Sequence, residues 1–168
     1  DQKAWVNELH ATKSKHFGQL VEKGKVPLRP GVRRLIEEAH AQDIRVAIVS
    51  NASRASLDAL LGHVLGDGLM DIIDFVQDGE QVKNKKPAPD AYQQALKKLS
   101  VNADECLAIE DSDIGNQAAL AAGIGTIITV NADTRHHEFP GALLVIDKLG
   151  EPASPCRILQ SKHDIDPM

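Results

Sequence analysis

The sequence predicts an α/β fold built on a parallel, doubly wound sheet. Two observations carry the prediction. Short continuous apolar runs alternate with segments of helical periodicity along the whole chain, and the central run, Cys106 to Ile109, empties into a polar turn. With 168 residues and 42% apolar side chains, the chain can bury one core of ordinary size, so one main domain is expected.

Residues 1–24 read as a single helix with Trp5, Leu9, Phe17, Leu20 and Val21 on one face and Gly24 at its end. No later segment supplies an obvious partner for that face, so it either folds back on the core or has its neighbours outside these residues. His10, Lys13, Lys15 and His16 read as its solvated side. The two prolines and the glycine of VPLRPGV, residues 26–32, break the helix as a hinge and start another at Val32, continued by Leu35, Ile36 and Ala39. Ile44 to Val49 follows as a buried strand, interrupted only by Arg45, and Leu57, Leu60, Leu61 and Val64 mark the next helix. Phe75 and Val76 form a short strand closed by Asp78 and Gly79. Pro89 and Asp90 open a helix that buries Tyr92, Ala95, Leu96 and Leu99. Ile114 to Ala122 is a helix stopped by Gly123, Thr126 to Val130 a β-branched strand, 131–141 a polar loop and Leu143 to Ile146 a last short strand. Residues 150–168 hold prolines and little pattern and read as a loosely packed tail, the acidic run Asp164 to Asp166 included.

Three polar turns carry chemistry. In ECLAIEDSDIGNQAALAAG, residues 105–123, the strand delivers Glu110, Asp111, Ser112 and Asp113 to its carboxyl end, where open α/β sheets bind ligands. Adjacent carboxylates repel unless a cation joins them, which points to Mg²⁺; the structural alternative is that Asp111 to Asp113 cap the next helix. Ser50, Asn51, Ala52 and Ser53 follow the first strand and form either an anion cradle of hydroxyls and free N–H groups or an N-cap through Ser53. Pro87 forces Lys86 into an extended conformation ahead of a helix, so this lysine is either an ordinary surface charge or a fixed cation that can neutralise a phosphate.

Other classes are disfavoured. A formal charge of -5 with scattered Lys and Arg leaves no basic stripe for nucleic acid, and no apolar run reaches the ~20 residues needed to span a membrane. His136 and His137 lack further ligands and read as solvated. Cys106 in a buried strand and Cys156 in the tail lack metal-ligand spacing and suit a reducing cytosol, and the polar, helical start does not read as a secretion signal.

The order of the three turns resembles the haloacid dehalogenase superfamily of phosphohydrolases: its second motif in VAIVSNAS, its third in KKPAPDAY and its fourth in AIEDSDIGNQAALAAG. VPLRPGVRRLIEEA and FPGALLVIDKLGEP resemble its CbbY branch, relatives of β-phosphoglucomutase. The resemblance runs from about residue 4 to 152. It implies a Rossmann-like core over 26–149, a residual cap-domain helix over 1–25 and a tail over 150–168. It also implies that Ser50 and the Asn51 N–H hold the transferring phosphoryl group, that Lys86 balances its charge, that Asp111 ligates Mg²⁺, and that Glu110 orients the metal's water from the second sphere, with Ser112 supporting that loop. Phosphoryl transfer needs such neutralisation and alignment above all.

One departure overrides the rest. The family's first motif, a strand ending in DxDGT that supplies the nucleophile and the general acid, is absent from these residues, as is most of the cap. The resemblance puts that strand in the middle of the sheet, between the strands ending at Ser50 and Glu110. The expected fold is therefore a core lacking its central first strand, and the chain alone is expected to be inactive, a fragment completed by an N-terminal segment or a swapped chain. For the parent protein the resemblance implies a cytoplasmic phosphatase of a small phosphorylated metabolite, best xylulose 1,5-bisphosphate. The alternatives are a β-phosphoglucomutase-like phosphomutase and a non-catalytic remnant that binds a phospho-ligand or a partner.

Overall fold

The structure, a computed structural model, describes residues 2–162. In chain order its elements are α1 (Gln2–Glu22), α2 (Val32–Ala41), β1 (Ala47–Val49), α3 (Arg54–Val64), α4 (Asp67–Met70), β2 (Phe75–Gln77), α5 (Asp90–Leu99), a 3₁₀ turn (Ala103–Glu105), β3 (Leu107–Glu110), α6 (Asp113–Ala121), β4 (Gly125–Thr129), β5 (Leu144–Ile146) and β6 (Ile158–Ser161).

The parallel α/β core is present, and it comes in two pieces. β1 pairs in parallel with β2, Ile48 opposite Val76. β3, β4 and β5 form a second parallel set, Ile109 opposite Ile127 and Ile128 opposite Val145. Among the described residues no ladder joins β1 to β3. β1 and β3 therefore each keep one edge without a strand partner among the described residues.

Helices cover both faces, and the strand pleat decides which residue meets which layer. Ile48 and Val76 pack with Leu57, Leu61, Leu65 and Leu69 of the α3–α4 layer, joined by Leu28 and Ile36. Val49 points the other way, into a cluster of Tyr92, Ala108, Ala118, Ala119 and Ile124 under α5 and α6. That second layer holds the two sheet pieces together, because it takes Val49 from β1 and Ala108 from β3. A third cluster, Ile128, Val130, Phe139, Ala142 and Val145, closes the far side. The hinge is fastened to the same region. The Arg29 guanidinium donates to the Thr129 carbonyl and hydroxyl, both at 3.1 Å, and to the Val130 carbonyl at 2.7 Å.

Several expectations need correction. The first core strand is Ala47–Val49 rather than 44–49: Ile44 is 60% exposed, and its N–H closes the end of α2 by donating to the Ala39 carbonyl at 2.9 Å. The central strand starts at Leu107, leaving Cys106 half-buried outside it. The tail is not loose throughout, because Ile158–Ser161 adds to β5 as an antiparallel strand, Val145 opposite Gln160. Arg157 anchors it, its N–H donating to Asp147 Oδ1 at 2.8 Å and its Nε to Oδ2 at 3.2 Å. The acidic run at 164–166 lies outside the described residues. α1 folds back along α3 and buries Val21, while Trp5, Leu9, Phe17 and Leu20 stay exposed. Lys13, Lys15 and His16 are exposed as expected, and the His10 side chain lies outside what is described.

Candidate functional site

The three polar turns meet at the carboxyl end of the gap between β1 and β3. The first leaves β1. The Ser50 N–H donates to the Gln77 carbonyl at 2.9 Å and carries the β1–β2 pairing one step further, while Ser50 Oγ accepts the Ala52 N–H at 3.1 Å. Ser53 then caps α3, its side chain accepting the Ser56 N–H at 3.3 Å. The Asn51 N–H takes part in none of these bonds. The turn is pressed against the end of β2: Gly79 donates to the Ala52 carbonyl at 2.8 Å, and a Cβ on Gly79 would overlap the Asn51 carbonyl.

The second turn holds Lys86. Asp90, in the first turn of α5, accepts both the N–H and the side-chain amide of Asn84, at 3.1 and 3.0 Å. The Asn51 side chain grips the main chain of Lys86 at two points, Nδ2 donating to its carbonyl at 3.2 Å and Oδ1 accepting its N–H at 2.9 Å. From this anchored backbone the Lys86 ammonium donates to the Val49 carbonyl at 2.9 Å and to Glu110 Oε1, and it lies 4.8 Å from the centre of the Tyr92 ring.

The third turn leaves β3. Glu110 Oε1 accepts from Lys86 and also from the Tyr92 hydroxyl. The Lys86 and Glu110 side chains are only 7% and 9% exposed, so the pair is shielded from water. Burial, followed by the charge and hydrogen bond of Glu110, pushes the Tyr92 hydroxyl well above its ordinary value, and it stays protonated as a donor. Oε2 of Glu110 lies against Gly115, where a Cβ would overlap it. A side chain at 115 would thus displace the carboxylate. Ser112 caps α6 by accepting the Gly115 N–H at 3.3 Å, so the capping alternative holds for this residue, and Asp113 accepts from Gln117 at 2.6 Å. Asp111 is exposed and makes none of these bonds.

This donor set fits part of a Mg²⁺ shell. Mg²⁺ is commonly held by one or two carboxylates, with waters and substrate phosphate filling the remaining positions. Asp111 is a carboxylate left unengaged, and Glu110 beside it is committed to Lys86 and Tyr92. Among the described residues no group of three or more His, Cys, Asp or Glu side chains stands ready to enclose a metal. His136 and His137 are exposed, with His137 beside Phe139.

Ser50, Asn51, Lys86, Glu110 and Asp111 are thus brought to one place. The sequence reading missed two of their supports. Tyr92 stood only as a position on the buried face of α5, although a hydroxyl among apolar positions calls for a partner. The hold of Asn51 on Lys86 joins two loops distant in sequence, and no local pattern announces it.

A family profile for haloacid dehalogenase-like hydrolases matches residues 2–123. The chain is 42% identical over 153 residues to the plasmid-encoded protein CbbY of Cupriavidus necator, covering 91% of this chain and 60% of that protein. It superposes with a TM-score of 0.78 and 36% identity on mutant CbbY from Rhodobacter sphaeroides in complex with xylulose-(1,5)bisphosphate, covering 85% of this chain and 64% of that one. β-Phosphoglucomutase from Clostridium difficile superposes at 0.65 with 26% identity, covering 78% and 55%. The chain therefore spans less than two thirds of the length of these relatives.

Proposed function

The chain belongs to the haloacid dehalogenase-like hydrolases, and from that premise we propose that its parent protein is a Mg²⁺-dependent phosphatase of a small sugar phosphate, with xylulose 1,5-bisphosphate the first substrate to try. The observation that carries this reading is the convergence on Lys86, whose ammonium donates to the carbonyl of Val49, just before Ser50, and to Glu110, just before Asp111. The solved relative that holds xylulose-(1,5)bisphosphate supports the choice of substrate.

In this reading the Ser50 hydroxyl and the Asn51 N–H orient the phosphoryl group, while Lys86 meets the charge on its oxygens. Asp111 would hold Mg²⁺, and Glu110 would orient its water. When bound, the cation offsets phosphate charge and helps align the group for attack. Glu110 suits the outer role because Lys86 and Tyr92 already hold its Oε1.

Covalent phosphoryl transfer needs a nucleophile, and no DxDGT occurs in these 168 residues. A strand carrying it, from an N-terminal segment or a swapped chain, would seat between β1 and β3, where the sheet is open. Without it, by analogy with deletion of catalytic residues, turnover should fall by roughly 10⁴ to 10⁶. Residues 1–25 are a remnant of the cap in this proposal and 26–149 the core, which β6 extends. A cytoplasmic setting accords with the two free cysteines and with the absence, among the described residues, of a helix long and apolar enough to cross a membrane.

The experiment is to supply the full-length protein with xylulose 1,5-bisphosphate and Mg²⁺ and to measure free phosphate. Phosphate release that needs the cation supports the phosphatase. Sugar isomer formation with little free phosphate selects the mutase reading, which the likeness to β-phosphoglucomutase favours. Ligand binding without turnover leaves a binding remnant.

A further inference from the structure

Asn51 directly follows Ser50, yet its side-chain amide does not point into an open anion site. Both ends of that amide are spent on one residue. Oδ1 accepts the Lys86 N–H at 2.9 Å, and Nδ2 donates to the Lys86 carbonyl at 3.2 Å. The pattern imitates the exchange of N–H and C=O bonds between two paired strand residues. Lys86 lies in no strand and precedes Pro87, which has no N–H to give, so little else can fix its main chain. Asn51 is itself fixed, because its backbone leaves β1 and is backed by Gly79.

The far end of Lys86 is held separately. Tyr92 donates to the same Glu110 oxygen that receives the ammonium, and its ring lies 4.8 Å from that ammonium. A lysine has four rotatable side-chain bonds, so an ammonium anchored at one end alone would wander. Two anchors remove that freedom before any ligand arrives.

We propose that Asn51 is a positioning residue for Lys86: its side-chain amide clamps the lysine's main chain and does not contact the phosphoryl group, while Tyr92, through Glu110, sets the position of the ammonium. The inference rests on the reading of Lys86 as the cation that meets the phosphate. It gives the Asn51 side chain a role separate from that of its own N–H.

The test is a double-mutant cycle in the full-length protein, with amide hydrogen exchange as a second readout. Asn51→Ala should lower kcat by about 10- to 100-fold, the scale of a misplaced catalytic group, with a smaller change in KM. In a Lys86→Ala background the same substitution should change kcat less than about twofold, because the group it positions is gone. Tyr92→Phe should behave likewise. Asn51→Asp keeps an acceptor for the Lys86 N–H but loses the donor, and should fall between wild type and Asn51→Ala. In hydrogen exchange, the Lys86 amide should be protected in wild type and lose that protection in Asn51→Ala.

An Asn51→Ala loss that persists in full without Lys86 overturns the proposal, since Asn51 would then act on the ligand directly. Unchanged protection of the Lys86 amide in Asn51→Ala overturns it as well. If Lys86→Ala keeps full activity while the Lys86 amide still depends on Asn51, the functional reading of Lys86 fails and the clamp stands as a structural fact.

Discussion

The Lys86 ammonium bridges the gap between the two halves of the sheet, resting on the Glu110 carboxylate at the end of β3 and on the Val49 carbonyl at the end of β1. Both charged side chains are less than a tenth exposed. In such a place a charge is tolerated only when its partner and its hydrogen bonds are complete. The contact therefore serves both the packing of the molecule and the chemistry proposed for it.

Removing the lysine should expose both roles. Lys86→Ala leaves Glu110 buried with Tyr92 as its remaining donor, and breaking a buried pair costs about 3–5 kcal/mol. Turnover of the full-length protein should fall by about 10²- to 10³-fold, as when one preorganised donor is lost at a transition state. Thermal unfolding and phosphate release on the same preparation check both.

Asp111→Ala should behave differently. Its carboxylate is exposed and bonded to nothing that holds the fold, so stability should change by no more than about 0.5 kcal/mol. Mg²⁺ affinity and activity should be lost together, whereas Lys86→Ala should spare metal binding. Titration of Mg²⁺ into each variant separates them, and equal, mild effects of both would mean that the site is misplaced.

Gly115→Ala tests how firmly Glu110 is held. The new Cβ would occupy the place of Oε2, and the carboxylate cannot simply swing away because Lys86 and Tyr92 grip its other oxygen. We expect a loss of about 1–3 kcal/mol, typical of overpacking, and a fall in turnover. Denaturant melts alongside steady-state rates provide the check.

A pH prediction concerns β6. The backbone N–H of Arg157 is the chief influence holding the Asp147 carboxyl below its ordinary value, and the Arg157 side chain adds to it. A depressed carboxyl contributes stability above its unfolded value of about 3.9, and that contribution is lost as pH falls through the lower folded value. The protection of the 158–161 amides, taken relative to the intrinsic exchange rate at each pH, should therefore fall as the pH drops below about 4. Asp147→Asn should show low protection at neutral pH and little further loss of protection in acid.

The parts of the site carried by short segments were legible in the sequence. Ser50 and Glu110 stand at the exits of apolar runs, Lys86 is set by the proline behind it, and Ser53 and Ser112 cap helices as such residues do. What escaped depends on distant partners. Ile44 looks like strand, but the β1–β2 ladder begins only at Ala47, leaving Ile44 in the turn after α2 and exposed. Ile158 and Leu159 give no buried alternation, being 41% and 50% exposed, and β6 exists because β5 offers an edge and Asp147 an anchor. The roles of Asn51 and Tyr92 arise only once the loops have closed.

The most direct measurement is a crystal structure of the full-length protein with Mg²⁺ and inorganic phosphate. Phosphate should lie within hydrogen-bond reach of the Ser50 hydroxyl, the Asn51 N–H and the Lys86 ammonium, with the cation on Asp111. Phosphate bound elsewhere while Lys86 remains committed to Glu110 alone would contradict this placement.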